Sequence, residues 1–161
     1  MLFKKKLKKK KKIGLIKKPK QMTATAAKNK AWAVFSRYIR LKYANEFDIV
    51  VCVTCGVKKH YKEAHAGHFI DGRNNTVLYD ERLVHPQCFH CNAKCPWCLG
   101  GNKVAYTIFM SKKYSMQEIE DFQNMYFTSK PMKAWEHLEV FEKYTKLLNE
   151  LIEKRKQGDY S

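Results

Sequence analysis

Six cysteines carry the first chemical signal in the chain. Cys52, Cys55, Cys88, Cys91, Cys95 and Cys98 all fall into C-x-x-C pairs: CVTC, CFHC and CPWC. Thiolates on such short turns can take adjacent corners of a tetrahedron around zinc, with Zn–S distances near ~2.3 Å. CVTC and CFHC are separated by 32 residues, Gly56 to Gln87. Two such pairs read as one structural zinc site. A redox role fits poorly, because a redox C-x-x-C normally comes singly at a strand–helix junction. Six thiols exceed one zinc, so CPWC leaves alternatives open. Cys95 and Cys98 supply half of the site, stay free, or bind a second metal with His60, His85 or His90. Disulfides are not expected in a chain that shows no export signal.

Between the first two pairs lies AHAGHFIDGRNN, Ala64 to Asn75. His65, His68 and Asp71 offer two imidazoles and a carboxylate within seven residues. A neutral imidazole near pH 7 serves as a base or as a metal ligand. By residue type alone the stretch is a metal site, a catalytic site or a plain surface hairpin. Asn74 and Asn75 after Gly72 read as turn formers.

The elements that must position these groups follow from charge and periodicity. The chain has 161 residues and a net charge of +17. Residues 1–45 hold 16 Lys and Arg and no acid, whereas residues 46–161 hold 16 basic and 15 acidic residues. The excess charge is therefore an N-terminal device on a nearly neutral body. Residues 1–22 read as a disordered basic arm, because KKKLKKKKK repels itself and cannot pack. Its natural partner is a polyanion, since each phosphate neutralised releases counterions.

Residues 23–161 read as a single domain, with a Cys- and His-rich core over 50–104. Trp32, Phe35, Ile39 and Tyr43 recur at helical spacing and predict a helix over about 23–47. Lys28, Arg37, Arg40 and Lys42 decorate this helix as candidate phosphate contacts. Ile49 to Val51 is a short apolar run, and β-like runs fall at about 66–70, 77–79 and 83–85. VAYTIFM after Asn102 leads to further helix. Ser115 and Glu118 form a capping box for a helix over 115–127. A last helix, 131–157, opens with Pro131 near its first turn. It turns Trp135, Leu138, Tyr144, Leu148, Leu151 and Ile152 inward, or serves as a dimer seam. No stretch approaches the ~20 apolar residues of a membrane span. Lysines interrupt the N-terminal apolar residues too often for a signal peptide. The expected location is cytoplasmic.

Asn92 directly follows the second cysteine pair. The order C-x-x-C, then GHF, then C-x-x-C-N resembles the HNH nucleases, also called ββα-metal or treble-clef nucleases. The sequence is more closely similar to the phage recombination endonuclease family NinG, also called Rap. It carries Ala66-Gly67-His68-Phe69, then Glu81-Arg82-Leu83-Val84-His85-Pro86-Gln87-Cys88, then Cys91-Asn92 and Gly101-Asn102. The layout is also similar to the phage junction resolvase endonuclease VII. The likeness covers about residues 30–125.

This resemblance implies an α+β fold: a zinc-stabilised ββα-metal core flanked by N- and C-terminal helices. It implies Cys52, Cys55, Cys88 and Cys91 as the zinc ligands. It also implies His68 as general base, and Asn92 as a ligand of a catalytic Mg2+ or Mn2+ or as the residue that holds the site in register; by residue type alone Asn92 could equally cap the helix that follows it. Many HNH nucleases place a metal ligand immediately before the base, where this chain has Gly67. On a strand, residues 65, 67 and 69 share a face opposite His68. His65, Asp71 and His85 are therefore candidate stand-ins. The implied activity is hydrolysis of branched DNA in phage recombination, by a homodimer if both strands are cut. The alternatives are a zinc-dependent nucleic-acid-binding module without catalysis, and a homing- or restriction-type HNH endonuclease that cuts linear duplex at defined sequences.

Overall fold

A computed structural model describes residues 22–71, 75–128 and 130–160. Of the expected basic arm, only Met22 falls within them, and residues 72–74, where a turn is expected, lie outside them too. The order is α1 (Ala24–Lys42), β1 (Ile49–Val51), β2 (Lys58–His60), β3 (His65–His68), α2 (Asn75–Leu78), β4 (Val84–Gln87), α3 (Phe89–Asn92), α4 (Lys103–Ser111), α5 (Met116–Met125) and α6 (Ala134–Lys156). The architecture is α+β: two separate antiparallel strand pairs, β1–β2 and β3–β4, set among helices.

Thr23 starts α1, its hydroxyl accepting from the Ala26 N–H at 3.2 Å. Such a cap satisfies one of the amides that the first turn leaves open. The buried stripe is Ala27, Ala31, Phe35 and Ile39. It therefore begins on two small residues, and Tyr43, at the helix end, stays partly exposed. Helix α6 packs along α1, with Tyr144 edge-on to Phe35 at 4.7 Å between ring centres. The expected Ser115–Glu118 capping box is present at α5. Helix α6 begins at Ala134, where the Glu136 carboxylate accepts from the Lys133 N–H at 2.6 Å. Trp135 does not turn inward; it is 55% exposed, and His137 is buried instead, bonded to the Tyr79 hydroxyl at 2.9 Å.

The β3–β4 hairpin sits between two helical layers. Val84 packs with Phe35, Ile39 and Tyr144 of α1 and α6. Phe69, Ile70 and Leu83 pack with Tyr106, Met110, Ile119 and Phe122 of α4 and α5. The adjacent residues Leu83 and Val84 thus serve opposite layers, as a pleated strand allows. In register, His65 faces Gln87, Gly67 faces His85 and His68 faces Val84. The run at 77–79 is not a strand. A single helical turn, α2, stands there instead, with Val77 and Leu78 both buried. Among the described residues no helix is long and apolar enough to cross a membrane.

Candidate functional site

The first two cysteine pairs converge. Cys52 and Cys55 lie on the turn between β1 and β2, which Gly56 closes with a positive φ of 77°. The Gly56 N–H donates to the Cys52 carbonyl at 2.9 Å. Cys88 caps α3 and Cys91 lies within it. The four Sγ atoms all lie within 4.8 Å of one another, with Cys55 and Cys88 at 3.7 Å. Four thiolates at ~2.3 Å from a tetrahedral zinc stand roughly 3.8 Å apart, so the cluster fits the ion. Desolvation and the neighbouring sulfurs push the Cys55 thiol up to about 12 and raise Cys88 as well, whereas at Cys52 desolvation is outweighed by hydrogen bonds from Thr54 and nearby backbone amides, which lower the thiol to about 6. A central dication relieves that penalty, because it neutralises the thiolates it binds.

The third pair does not join them. Cys95 and Cys98 are bonded to each other in a disulfide, which corrects the expectation that no disulfide forms. Three residues apart on one turn, they meet each other before either reaches the cluster. The turn holds Trp97 out, 73% exposed.

His68 ends β3 on the side of α1. Its ring stacks on Trp32 at 4.8 Å and 22°. Its Nε2 lies 3.2 Å from the Leu78 carbonyl. A carbonyl only accepts, so Nε2 carries the proton and Nδ1 is the basic nitrogen. His68 lines a cavity of about 350 Å³ with Ala66, Asp71, Asn92, Lys94, Gly100 and Gly101. Lys103, at the start of α4, fastens the end of this strand. Its ammonium donates to the His68 and Phe69 carbonyls at 3.2 and 2.8 Å and pairs with Asp71 at 3.0 Å.

Asn92 follows Cys91 and so is positioned by the cysteine cluster. Its Nδ2 donates to His65 Nδ1 at 3.0 Å. Burial, then the nearby Arg40 charge, lowers the pKa of His65, which favours the neutral ring able to accept that bond. Asn92 Oδ1 is turned towards Gly67: a Cβ built on Gly67 would come 2.9 Å from it and would overlap the Gln87 side-chain oxygen. Gly67 is therefore required by space rather than by backbone angle.

The remaining candidates separate. His85 is buried against Tyr106 and Phe109, and burial pushes its pKa down to about 4. The Tyr106 hydroxyl donates to the Gly67 carbonyl at 2.9 Å, so His85 Nδ1, 3.0 Å from the Tyr106 hydroxyl oxygen, must donate to that hydroxyl. Asp71 does line the His68 cavity. Lys28 and Arg37 lie on opposite faces of α1, about 180° apart at ~100° per residue. Lys42 pairs with Glu81 at 2.8 Å. Arg40 is turned inward, its Nη1 donating to the carbonyls of Tyr61, Lys62 and Ala64 at 3.2, 3.3 and 3.1 Å. Sequence reading missed Trp32, Gln87, Lys94 and Lys103 as site residues. Only Gln87, inside the quoted ERLVHPQC phrase, carried a signal.

Fold and site together define a mixed α and β protein built around a four-cysteine cluster able to hold a metal such as zinc. The family described as bacteriophage lambda NinG protein matches residues 3–158, and the chain belongs to that family. No curated protein and no solved structure matches it at a significant level.

Proposed function

We propose that the protein is a metal-dependent, structure-specific DNA endonuclease of the HNH type, hydrolysing phosphodiester bonds in branched recombination intermediates. The observation that carries this reading is the setting of His68, held by Trp32 and the Leu78 carbonyl in a cavity shared with Asn92 and Lys94. His68 Nδ1 takes a proton from water as the water oxygen bonds to phosphorus and the bond to the 3′ oxygen breaks. The departing oxygen is protonated from solvent. A divalent cation, Mg2+ or Mn2+, supplies charge stabilisation on the phosphate and the leaving oxygen when bound. Asn92 contributes an oxygen to hold it, and His65 orients Asn92. Lys94 offers a phosphate contact.

Strand β3, strand β4 and helix α3 correspond to the ββα element of the HNH reading, and the cysteine cluster supplies the zinc that joins them. A small core could not hold Asn92 against Gly67 without that staple. DNA as partner is supported by the eleven lysines within residues 1–20. The preference for branches follows from the family likeness, and cutting both strands of a junction favours two copies of the chain.

The test is one cleavage assay on linear, flapped and four-way-junction DNA, with Mg2+, Mn2+ or chelator. Branched substrates are cut in a metal-dependent way, and His68→Ala loses about 10²–10⁴-fold in rate, the usual worth of a general base. Binding with no metal-dependent cleavage would instead support a zinc-stabilised binding module. Equal cutting of linear duplex would support a restriction- or homing-type enzyme.

A further inference from the structure

Among the buried side-chain nitrogen and oxygen atoms of the described residues, Gln87 Oε1 has no hydrogen-bond partner. Buried acceptors are nearly always satisfied in native proteins. The amide cannot be turned to remove the problem. Its Nε2 donates to the Gly101 carbonyl at 2.8 Å and to Thr54 Oγ1 at 3.2 Å. Exchanging the two atoms would set Oε1 against a carbonyl oxygen.

The orphaned oxygen fills the space that a side chain at residue 67 would take. Asn92 Oδ1 borders the same point, 2.9 Å from the Cβ that Gly67 lacks. His65 holds that amide with its nitrogen turned away. Two amide oxygens therefore converge on the position of the Cβ that Gly67 lacks, with no donor assigned to Gln87 Oε1. Hard dications seek such oxygen ligands and complete their shells with water and substrate phosphates.

We infer that Gln87 Oε1 is a ligand of the catalytic divalent cation, beside Asn92 Oδ1, and replaces the ligand missing at Gly67. This rests on the nuclease reading, since it names the metal ligands of that same site. It also explains the glycine: a side chain at 67 would displace the very oxygen that stands in for it. Because both ligands are neutral, the cation binds weakly until DNA phosphates join it.

The experiment uses the zinc-loaded full chain and Mn2+ without DNA, with Mg2+ as diamagnetic control. Side-chain amide NMR signals of Gln87 and Asn92 should broaden before those of Gln117 and Gln123, at constant zinc content. Gln87→Ala should remove the Mn2+ broadening of Asn92 and lower cleavage at least tenfold. Gly67→Asp alone should also be impaired. Gly67→Asp combined with Gln87→Ala should recover both readouts, since the carboxylate enters the vacated space. An unbroadened Gln87 amide beside a broadened Asn92, or Mn2+ broadening of Asn92 unchanged in Gln87→Ala, would overturn the inference. So would broadening of neither amide, the result if Gln87 is satisfied by Asn92 or by a water. Cleavage of DNA with Gln87 unbroadened would sink this ligand assignment and spare the nuclease. Broadening without cleavage of any DNA would do the reverse.

Discussion

Arg40 separates two roles that a sequence cannot tell apart. An arginine on a lysine-rich helix reads as a phosphate contact, yet its guanidinium binds three carbonyls in the loop that leads into β3. Arg40→Met keeps the aliphatic stem and removes the donors. Nη1 has two hydrogens, so the three contacts count as two bonds. Charged hydrogen bonds contribute about 1.5–3 kcal/mol each when buried, but these are part-buried and the guanidinium pays desolvation. The lower end applies, about 2–3 kcal/mol in total. For a chain of this size that is roughly 5–10 °C in Tm. The assay pairs thermal unfolding of the zinc-loaded protein with DNA affinity measured against salt. A phosphate contact would lower the salt slope by about 1 when removed. The expected result is a lower Tm with an unchanged slope. An unchanged Tm with a reduced slope would refute the structural role and return Arg40 to the DNA.

Three further outcomes are expected. Cys88→Ser should lose zinc and tertiary structure together, while Cys95→Ser with Cys98→Ser keeps one zinc per chain; metal analysis and near-UV circular dichroism check both, and a zinc-loaded Cys88→Ser protein would reject this ligand set. His85 should stay neutral well below its ordinary pKa near ~6.5, since burial holds it at about 4. The unfolded chain then takes up a proton that the folded chain refuses. His85's share of stability is complete above about pH 6.5 and falls by about 3 kcal/mol as pH drops towards 4. Imidazole NMR showing a charged His85 in the folded protein at pH 5.5 would contradict this. Trp32→Ala should slow single-turnover cleavage about tenfold with DNA affinity kept, as His68 loses the ring it stacks on, and Trp32→Phe should retain most of the rate. Equal rates in all three proteins would mean the stack does not position His68.

What was legible in the sequence was local. The Ser115–Glu118 box and the α1 stripe depend on residues three and four apart; the box is present, and of the expected stripe Phe35 and Ile39 are buried, while α1 ends at Lys42 rather than near 47 and leaves Tyr43 beyond it. The alternation that sets Gly67 on the same face as His65, away from His68, follows from strand geometry alone. The run at 77–79 misled because its residues suit a strand by type, whereas the chain there forms the single helical turn α2. Trp135 misled because helical spacing admits more than one inward face, and the packing of α6 on α1 chose His137.

The sequence by itself determined the chemistry available: six thiols in three C-x-x-C pairs, an imidazole beside a glycine, and an asparagine directly after Cys91. Covalent spacing suffices for these, because two residues on one turn cannot be far apart. Only the tertiary structure decided which groups meet. Arg40 reaches carbonyls more than 20 residues away, His85 is drawn into an aromatic core by Tyr106, and Gln87 is aimed at Gly67 by the Gly101 carbonyl. Those choices depend on how helices pack across the hairpin, and no local pattern encodes them.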